Sequence, residues 1–385
     1  MTTGFYRLGA FHAAAAAAGL LVAALAGCGA ATVAPAPAPA NRGETPPATE
    51  RVSETRRLMG VPWTITVHAA SEAAGRAAIA AGFGEVARLE RILSDYDPES
   101  ELSRLSGRAP TPHPVPVGDD LWRVLERAVA MRDATHGAFD PTVGPLTTLW
   151  RQARRSGRLP LPDKLARARE AVGPDALRLD SEGHAVELRR PGMRLDLGGI
   201  GMGYAVDRAM EVIGRHGIAA AMVDASGDVA VSGPPPGTAG WSIAVAPLRV
   251  DGGGVDPADH GERLCLVHAA VTTSGDAWQA VEIDGIRYSH IVDPRTGLGV
   301  VGSTAVTVVA PDCTTADALA TAASVLGPER SAAVIEAAPG CAARFVWLED
   351  GRVRHAHTAR WSSQFPQTSS QLPREPLADR SGRAG

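Results

Sequence analysis

The sequence predicts an α+β fold of mixed or antiparallel sheets with helices packed on them. Turn signals flanked by apolar runs mark hairpins at Ser181-Glu182-Gly183, Asp284-Gly285 and Asp350-Gly351. Amphipathic helical stretches lie among them without a regular strand–helix alternation. The run Gly199, Gly201, Gly203 lacks the spacing of a dinucleotide-binding fingerprint, and no acidic residue ends a second strand at the required distance. A doubly wound parallel sheet is therefore not expected.

At 385 residues the chain can bury a sizeable core, and its net charge of −4 gives no basic excess to attract nucleic acid. Aromatic residues are only 4% of the chain, so a Tyr beside a polar loop carries more information than usual.

Residues 1–28 read as a lipoprotein signal. Arg7 precedes the apolar run Ala13–Ala26, too short for a comfortable membrane span, and Leu25-Ala26-Gly27-Cys28 resembles a bacterial lipobox ending in the Cys that takes the lipid. The Ala-Pro-rich stretch 29–55 reads as a semi-rigid tether. These features imply a lipid-anchored, membrane-associated protein whose folded domain lies outside the cytoplasmic membrane. That domain is expected over 56–358, followed by a polar, Pro-rich disordered tail, 359–385. Cys265, Cys313 and Cys341 show no CxxC spacing, so a structural zinc site is not expected, and one bridge among them stays open.

Taken in order, Arg57–His68 is β-branched and apolar and reads as one strand, interrupted early by Gly60 and Pro62. Ile79, Phe83, Val86, Leu89 and Leu93 recur at helical spacing over Ser71–Leu93. A loop, Ser94–Pro98, and a short turn of helix, Ser100–Leu105, follow. A second helix opens at Asp119 and Asp120, whose charges suit the positive end of its dipole. His136–Pro141 reads as a turn before the apolar run Val143–Trp150, and Gln152–Pro162 as a linker or surface loop. Asp163–Val172 reads as a short helix, and Leu177–Leu188 as the first hairpin. Further strands are expected at Trp241–Val245 and Leu264–Val267, around a Gly- and Asp-rich excursion over Val250–Gly261. The second hairpin, Val281–Val292, precedes a strand at Thr304–Val309, and an Ala-rich helix at Thr315–Leu326 follows. Phe345–Leu348 and Val353–Ala356 form the last hairpin.

The stretch Leu195–Asp228 organises the chemistry. A short apolar run breaks into Gly198, Gly199, Gly201 and Gly203, a helix follows Tyr204, and Ile218–Val223 returns as a strand. Missing side chains let backbone approach a ligand, and N–H groups at a helix start favour phosphate. Asp196, Asp224 and Asp228 flank the turn, which points to a phosphate-bearing ligand with a hard cation. Asp317 and Thr321, four apart on a helix, either complete an all-oxygen cation site or serve as a helix cap and a back-bonded hydroxyl. His290 with Asp293 and Arg295 either supplies a base and a phosphate clamp or satisfies its loop. Tyr96 either stacks on a flat ring or covers the core edge, and Thr272–Asp276 either binds phosphate or ends a strand.

From Leu58 to Leu348 the motifs LDLGGIGMGYAVDRA, YSHIVDPRTG and TTADALATAASVLG stand in the order and separation of the ApbE family of FAD:protein FMN transferases, which the chain resembles. MGVPW, LSDYDPESELSRL and HGAFDPTVGPL add support. The resemblance implies an ApbE-like flavin transferase fold and a magnesium-dependent transfer of FMN from FAD to a Thr hydroxyl of a target protein, releasing AMP. By motif position it implies magnesium ligands at Asp317, Thr321 and the Gly199 carbonyl. FAD contacts are implied at Met59, Tyr96, Ala138, Phe139, Asp140, Asp196, Met202 and the Ile291 backbone, with His290 activating the acceptor hydroxyl. The acceptor it implies is a subunit of a membrane electron-transfer complex. Met202 stands where many relatives carry Lys, and Val61 where Thr is common. The first change either weakens FAD binding or leaves neutralisation to the metal and Arg295. Two other readings use the same site: an FAD pyrophosphatase with water as nucleophile, or a non-catalytic lipid-anchored flavin-binding protein.

Overall fold

The computed structural model describes residues 49–245, 248, 262–275 and 280–365. The expected signal with Cys28, the tether up to 48, the 250–261 excursion, Asp276 and the tail beyond 365 lie outside the described residues. No helix among those described is long and apolar enough to cross a membrane.

The chain opens with β1 (Glu50–Leu58) and β2 (Val61–Ala69), an antiparallel hairpin closed by Met59 and Gly60. Both turn residues have positive φ, 48° and 81°, as a two-residue primed turn requires. One expected strand is thus two, and residues 50–55 belong to the sheet rather than to the tether. Only Val52 of β1 is buried, so this edge strand carries no alternating pattern to read.

Next come α1 (Glu72–Leu93), α2 (Glu101–Ser106), β3 (Val115–Pro116) and α3 (Asp119–Ala134). Ser71 caps α1 by accepting from the Ala74 N–H. Then follow α4 (Gly144–Ser156), α5 (Pro162–Glu170), β4 (Leu177–Asp180) and β5 (Ala185–Leu188). The expected linker from Gln152 is overturned for its first half: α4 runs on to Ser156 and ends at Gly157 with φ 65°. Buried Ala153 and the basic last turn, Arg154 and Arg155, hold it.

The helix of the glycine turn, α6 (Gly201–Arg215), begins inside the glycines rather than after Tyr204. No strand leads into it; Arg194 makes only an isolated bridge to Val143. β6 (Ala220–Ala225), β7 (Asp228–Val231), β8 (Trp241–Ala244), β9 (Arg263–Leu266) and β10 (Ala269–Gly275) follow. The described part of the Thr272 run is therefore strand. β11 (Val281–Ile283), β12 (Ile286–Val292), β13 (Gly299–Val301) and β14 (Thr304–Ala310) lead to α7 (Cys313–Leu326) and α8 (Pro328–Ala337). The described chain ends with β15 (Ala342–Glu349), β16 (Arg352–His357) and α9 (Ala359–Gln364). The tail expected from 359 thus starts as a docked helix, capped by Thr358 and anchored by fully buried Trp361. One aromatic and one cap outweigh its polar composition.

Eight strands form one sheet in the order β1-β2-β6-β7-β10-β14-β15-β16, every neighbouring pair antiparallel. Alternate residues face opposite sides: Ala221, Ala270 and Val308 join the main core with α1, α6 and α7, while Ala220, Val271 and Val309 pack with Trp241, Leu264 and Trp361. A smaller sheet, β11-β12-β13, packs on α4 through Trp150, Tyr288 and Val292. Cys265, Cys313 and Cys341 are free thiols, so none of the three is bridged.

Asp207 of α6 locks α7 in place. Its carboxylate accepts from the backbone N–H groups of Cys313 and Thr314, each at 2.8 Å, and from the Thr314 hydroxyl. Asp207→Ala leaves these donors at the helix start unpaired, so it is expected to cost about 2–3 kcal/mol, read as a lower urea midpoint at unchanged slope.

Candidate active site

The cap of α7 is Asp312, whose side chain accepts from Thr315 N–H at 2.8 Å, so Asp317 is not a cap. Asp317 instead sits in the second turn, 5% exposed, with Oδ2 accepting from Gly203 N–H at 3.1 Å. Thr321 lies one turn further on the same face. Its hydroxyl makes no hydrogen bond among the described residues, so the back-bonded alternative is also set aside. A Cβ on Gly199 would stand 2.9 Å from Thr321 Oγ1, which puts the glycine bend directly against the carboxylate–hydroxyl pair. A Cβ on Gly203 would come within 2.4 Å of the Cys313 carbonyl oxygen, so that glycine serves close α6–α7 packing.

The expectation that the glycine turn offers free N–H groups to a phosphate is largely overturned. Gly198 N–H is donated to Asp196 Oδ1 at 2.8 Å, Gly201 N–H to the Leu197 carbonyl at 2.7 Å, and Gly203 N–H to Asp317. The turn satisfies itself and its neighbours first.

Asp228, at the start of β7, lies opposite Thr272 of β10 and is hydrogen-bonded to it. Burial raises the pKa of both Asp317 and Asp228; the charge of Asp228 raises Asp317 further, and Asp224 acts likewise on Asp228. Asp207 adds to the repulsion at Asp317. The anionic forms of these buried carboxyls are thus disfavoured where they stand, and a cation beside them would stabilise them. One carboxylate and one free hydroxyl are oxygen donors of the kind a small hard ion takes. The sequence set Asp228 beside the glycine turn and left the Thr272 run between phosphate binding and a strand end; their pairing across β7 and β10 is a tertiary fact.

A second group gathers around Asp196. Its Oδ2 accepts from Thr147 Oγ1 at 2.6 Å and from Arg151 at 3.1 Å, and its N–H is donated to the Pro141 carbonyl at 2.9 Å. That bond draws in the 138–141 turn, where Asp140 accepts from Thr142 N–H at 2.8 Å and its carboxyl is raised by burial. Arg151 also pairs with Asp95, and its guanidinium lies 4.3 Å from the Tyr96 ring centroid. Tyr96 remains 76% exposed, so it does not cover the core edge and is available to a flat ligand. Phe139 is buried in the main core, and Met202 packs partly against it. Met59 is held at its left-handed φ with its N–H donated to Glu90 Oε1 at 3.0 Å, a strained non-glycine residue packed against the main core.

Ala138, Ile291 and Val325 pack together, tying β12 to the face of α7 that carries Asp317 and Thr321. Ile291 donates its N–H to Ser289 Oγ at 3.1 Å. His290 between them is neutral: burial first, and then the Arg154 charge, lower its pKa to about 4. Its Nδ1 is buried without a hydrogen-bond partner. The expected phosphate clamp is corrected, because Arg295 is spent on Asp293 through Nε–Oδ1 at 2.9 Å and a second contact at 2.8 Å. Arg154 falls in the expected linker and Arg151 just before it, so the sequence reading singles out neither. A cavity of about 920 Å3 borders Asp95, Tyr96, Arg104, Arg108 and Arg194; Gly199, His290, Asp317 and Thr321 do not line it, so it adjoins the site rather than forming it.

Residues 59–345 match the model of the ApbE family. A Treponema pallidum FAD:protein FMN transferase is 33% identical over 313 residues, covering 78% of this chain and 86% of that protein. A Vibrio cholerae FAD:protein FMN transferase is 33% identical over 274 residues, 69% of this chain and 78% of its own length. In fold, the apo flavinyl transferase ApbE of Pseudomonas stutzeri superposes with a TM-score of 0.72 at 27% identity, covering 83% of this chain and 98% of that one. The Vibrio cholerae flavin transferase ApbE gives 0.72 at 28% identity, covering 82% and 99%. With the family model matched over residues 59–345 and a relative 33% identical over most of both chains, this chain belongs to the ApbE family.

Proposed function

We propose that the protein transfers FMN from FAD to a Thr hydroxyl of an acceptor protein, releasing AMP, with Mg2+ bound by Asp317, Thr321 and the Gly199 carbonyl. The observation that carries this reading is the Gly199 bend seated on a free Thr321 hydroxyl, one turn from a buried Asp317 carboxyl whose charged form burial and Asp228 disfavour. Mg2+, when bound there, neutralises phosphate oxygens and polarises the phosphorus.

The residues do the rest. Tyr96 offers a ring face to the flat parts of FAD, and Asp196, fixed by Thr147 and Arg151, offers a rigid acceptor edge. His290 is neutral in the folded protein, so it takes the acceptor proton as the Thr oxygen bonds to the flavin-side phosphorus. The bond to the bridging oxygen breaks, and AMP leaves with that electron pair. A hydrophobic backing of Ala138, Ile291 and Val325 limits water at this point.

The lipobox reading places the enzyme on a lipid anchor at Cys28, on the outer side of the cytoplasmic membrane, where subunits of membrane electron-transfer complexes are suitable acceptors. Chromatography of a mixture of protein, FAD and Mg2+ tests the reaction type. AMP is expected to form in step with added acceptor. Rapid AMP release without any acceptor supports the pyrophosphatase instead, and no AMP with any acceptor supports a binding protein.

A further inference from the structure

We infer that Arg154 is a substrate-binding residue that takes a phosphate oxygen of FAD. The inference rests on the transferase reading for its substrate.

Arg154 lies on α4 one turn beyond Trp150 and Arg151. Trp150 Nε1 donates to the Ser289 carbonyl at 2.9 Å, which seats this face of α4 beside His290. Arg151 lies over Tyr96. Arg154 is thus bracketed by His290 and Tyr96, and its charge acts on both. Yet it has no hydrogen bond or ion pair among the described residues. Burial and the Arg151 charge work against its own charge, lowering its pKa. A half-buried guanidinium without a counter-ion is costly to hold unless an anion completes it.

The other candidates for that task are occupied. Arg151 is shared between Asp95 and Asp196. Arg295 is closed on Asp293. Three glycine-turn N–H groups are bonded within the protein. Met202 contributes no charge. A dianionic diphosphate entering here meets Arg154 as its one uncommitted cation among these side chains.

Fluorescence titrations of FAD and of riboflavin, which lacks phosphate, test the assignment in wild type, Arg154→Met and Arg154→Lys. Arg154→Met is expected to weaken FAD binding about 10–100-fold, the loss of one charge-assisted contact. Riboflavin affinity should stay the same, and Arg154→Lys should restore most of the FAD affinity. Equal FAD affinity in Arg154→Met and wild type overturns the assignment, as does an equal loss of FAD and riboflavin binding. A wild type that binds FAD but transfers no FMN refutes the transferase reading, while the FAD-to-riboflavin comparison still decides Arg154.

Discussion

Asp317→Ala is expected to lower FMN transfer by at least about 10^2–10^3-fold, the loss seen when a main electrostatic stabiliser is removed, while the protein stays folded. The two halves of this result have separate causes. Asp317 supplies the only carboxylate of the proposed cation site, so its loss removes the charge that holds Mg2+. In the metal-free protein, however, Asp317 is a buried group under repulsion from Asp228 and Asp207, and its one bonded donor is Gly203 N–H. Removing it relieves that repulsion and leaves a single N–H unpaired, so thermal melts in chelator should stay close to wild type. Mg2+ should raise the melting temperature of wild type and leave Asp317→Ala unmoved. A variant that transfers FMN at the wild-type rate removes Asp317 from the mechanism.

The second large effect is at His290. His290→Ala is expected to slow transfer by about 10^2–10^4-fold, the usual contribution of a positioned base, with FAD affinity little changed. Equal losses in rate and affinity would make His290 a binding residue. The pH dependence follows from its pKa of about 4 against an ordinary 6.5. The folded value is the lower one, so the stability contributed by the neutral ring is complete above 6.5 and is lost as pH falls through about 4. Across neutral pH the ring is already neutral, so no limb of the rate profile near 6.5 should belong to His290. A limb there that vanishes in His290→Ala contradicts the buried, neutral base.

What was legible in the sequence was local. Asp284-Gly285 and Asp350-Gly351 announce their hairpins because both residues of each pair accept positive φ. The Asp317–Thr321 pair was legible because a four-residue step on a helix repeats a face. Its alternative as a cap failed only because Asp312, five residues earlier, already caps α7. The flanks were harder. β1 buries one side chain and so shows no alternation, and α9 is held by a single Trp. The C-terminal half of α4 is arginine-rich and reads as loop until the helix dipole and buried Ala153 are considered. Contacts between distant segments were legible only through the family resemblance, which sets the glycine turn beside Asp317; the bond itself, Gly203 N–H to Asp317 across 114 residues, was not. For the same reason the uncommitted state of Arg154, and the spent state of Arg295, emerge only once their neighbours are in place.

The proposed reaction hands FMN to a protein hydroxyl under the control of a divalent ion. Intact-mass spectrometry of an acceptor from the same organism, incubated with the wild-type protein, FAD and Mg2+, measures it most directly. One added FMN mass per acceptor is expected, mapped by fragmentation to a Thr, and absent when a chelator replaces Mg2+. An acceptor of unchanged mass beside free FMN and AMP, or the same modification with the ion removed, would contradict it.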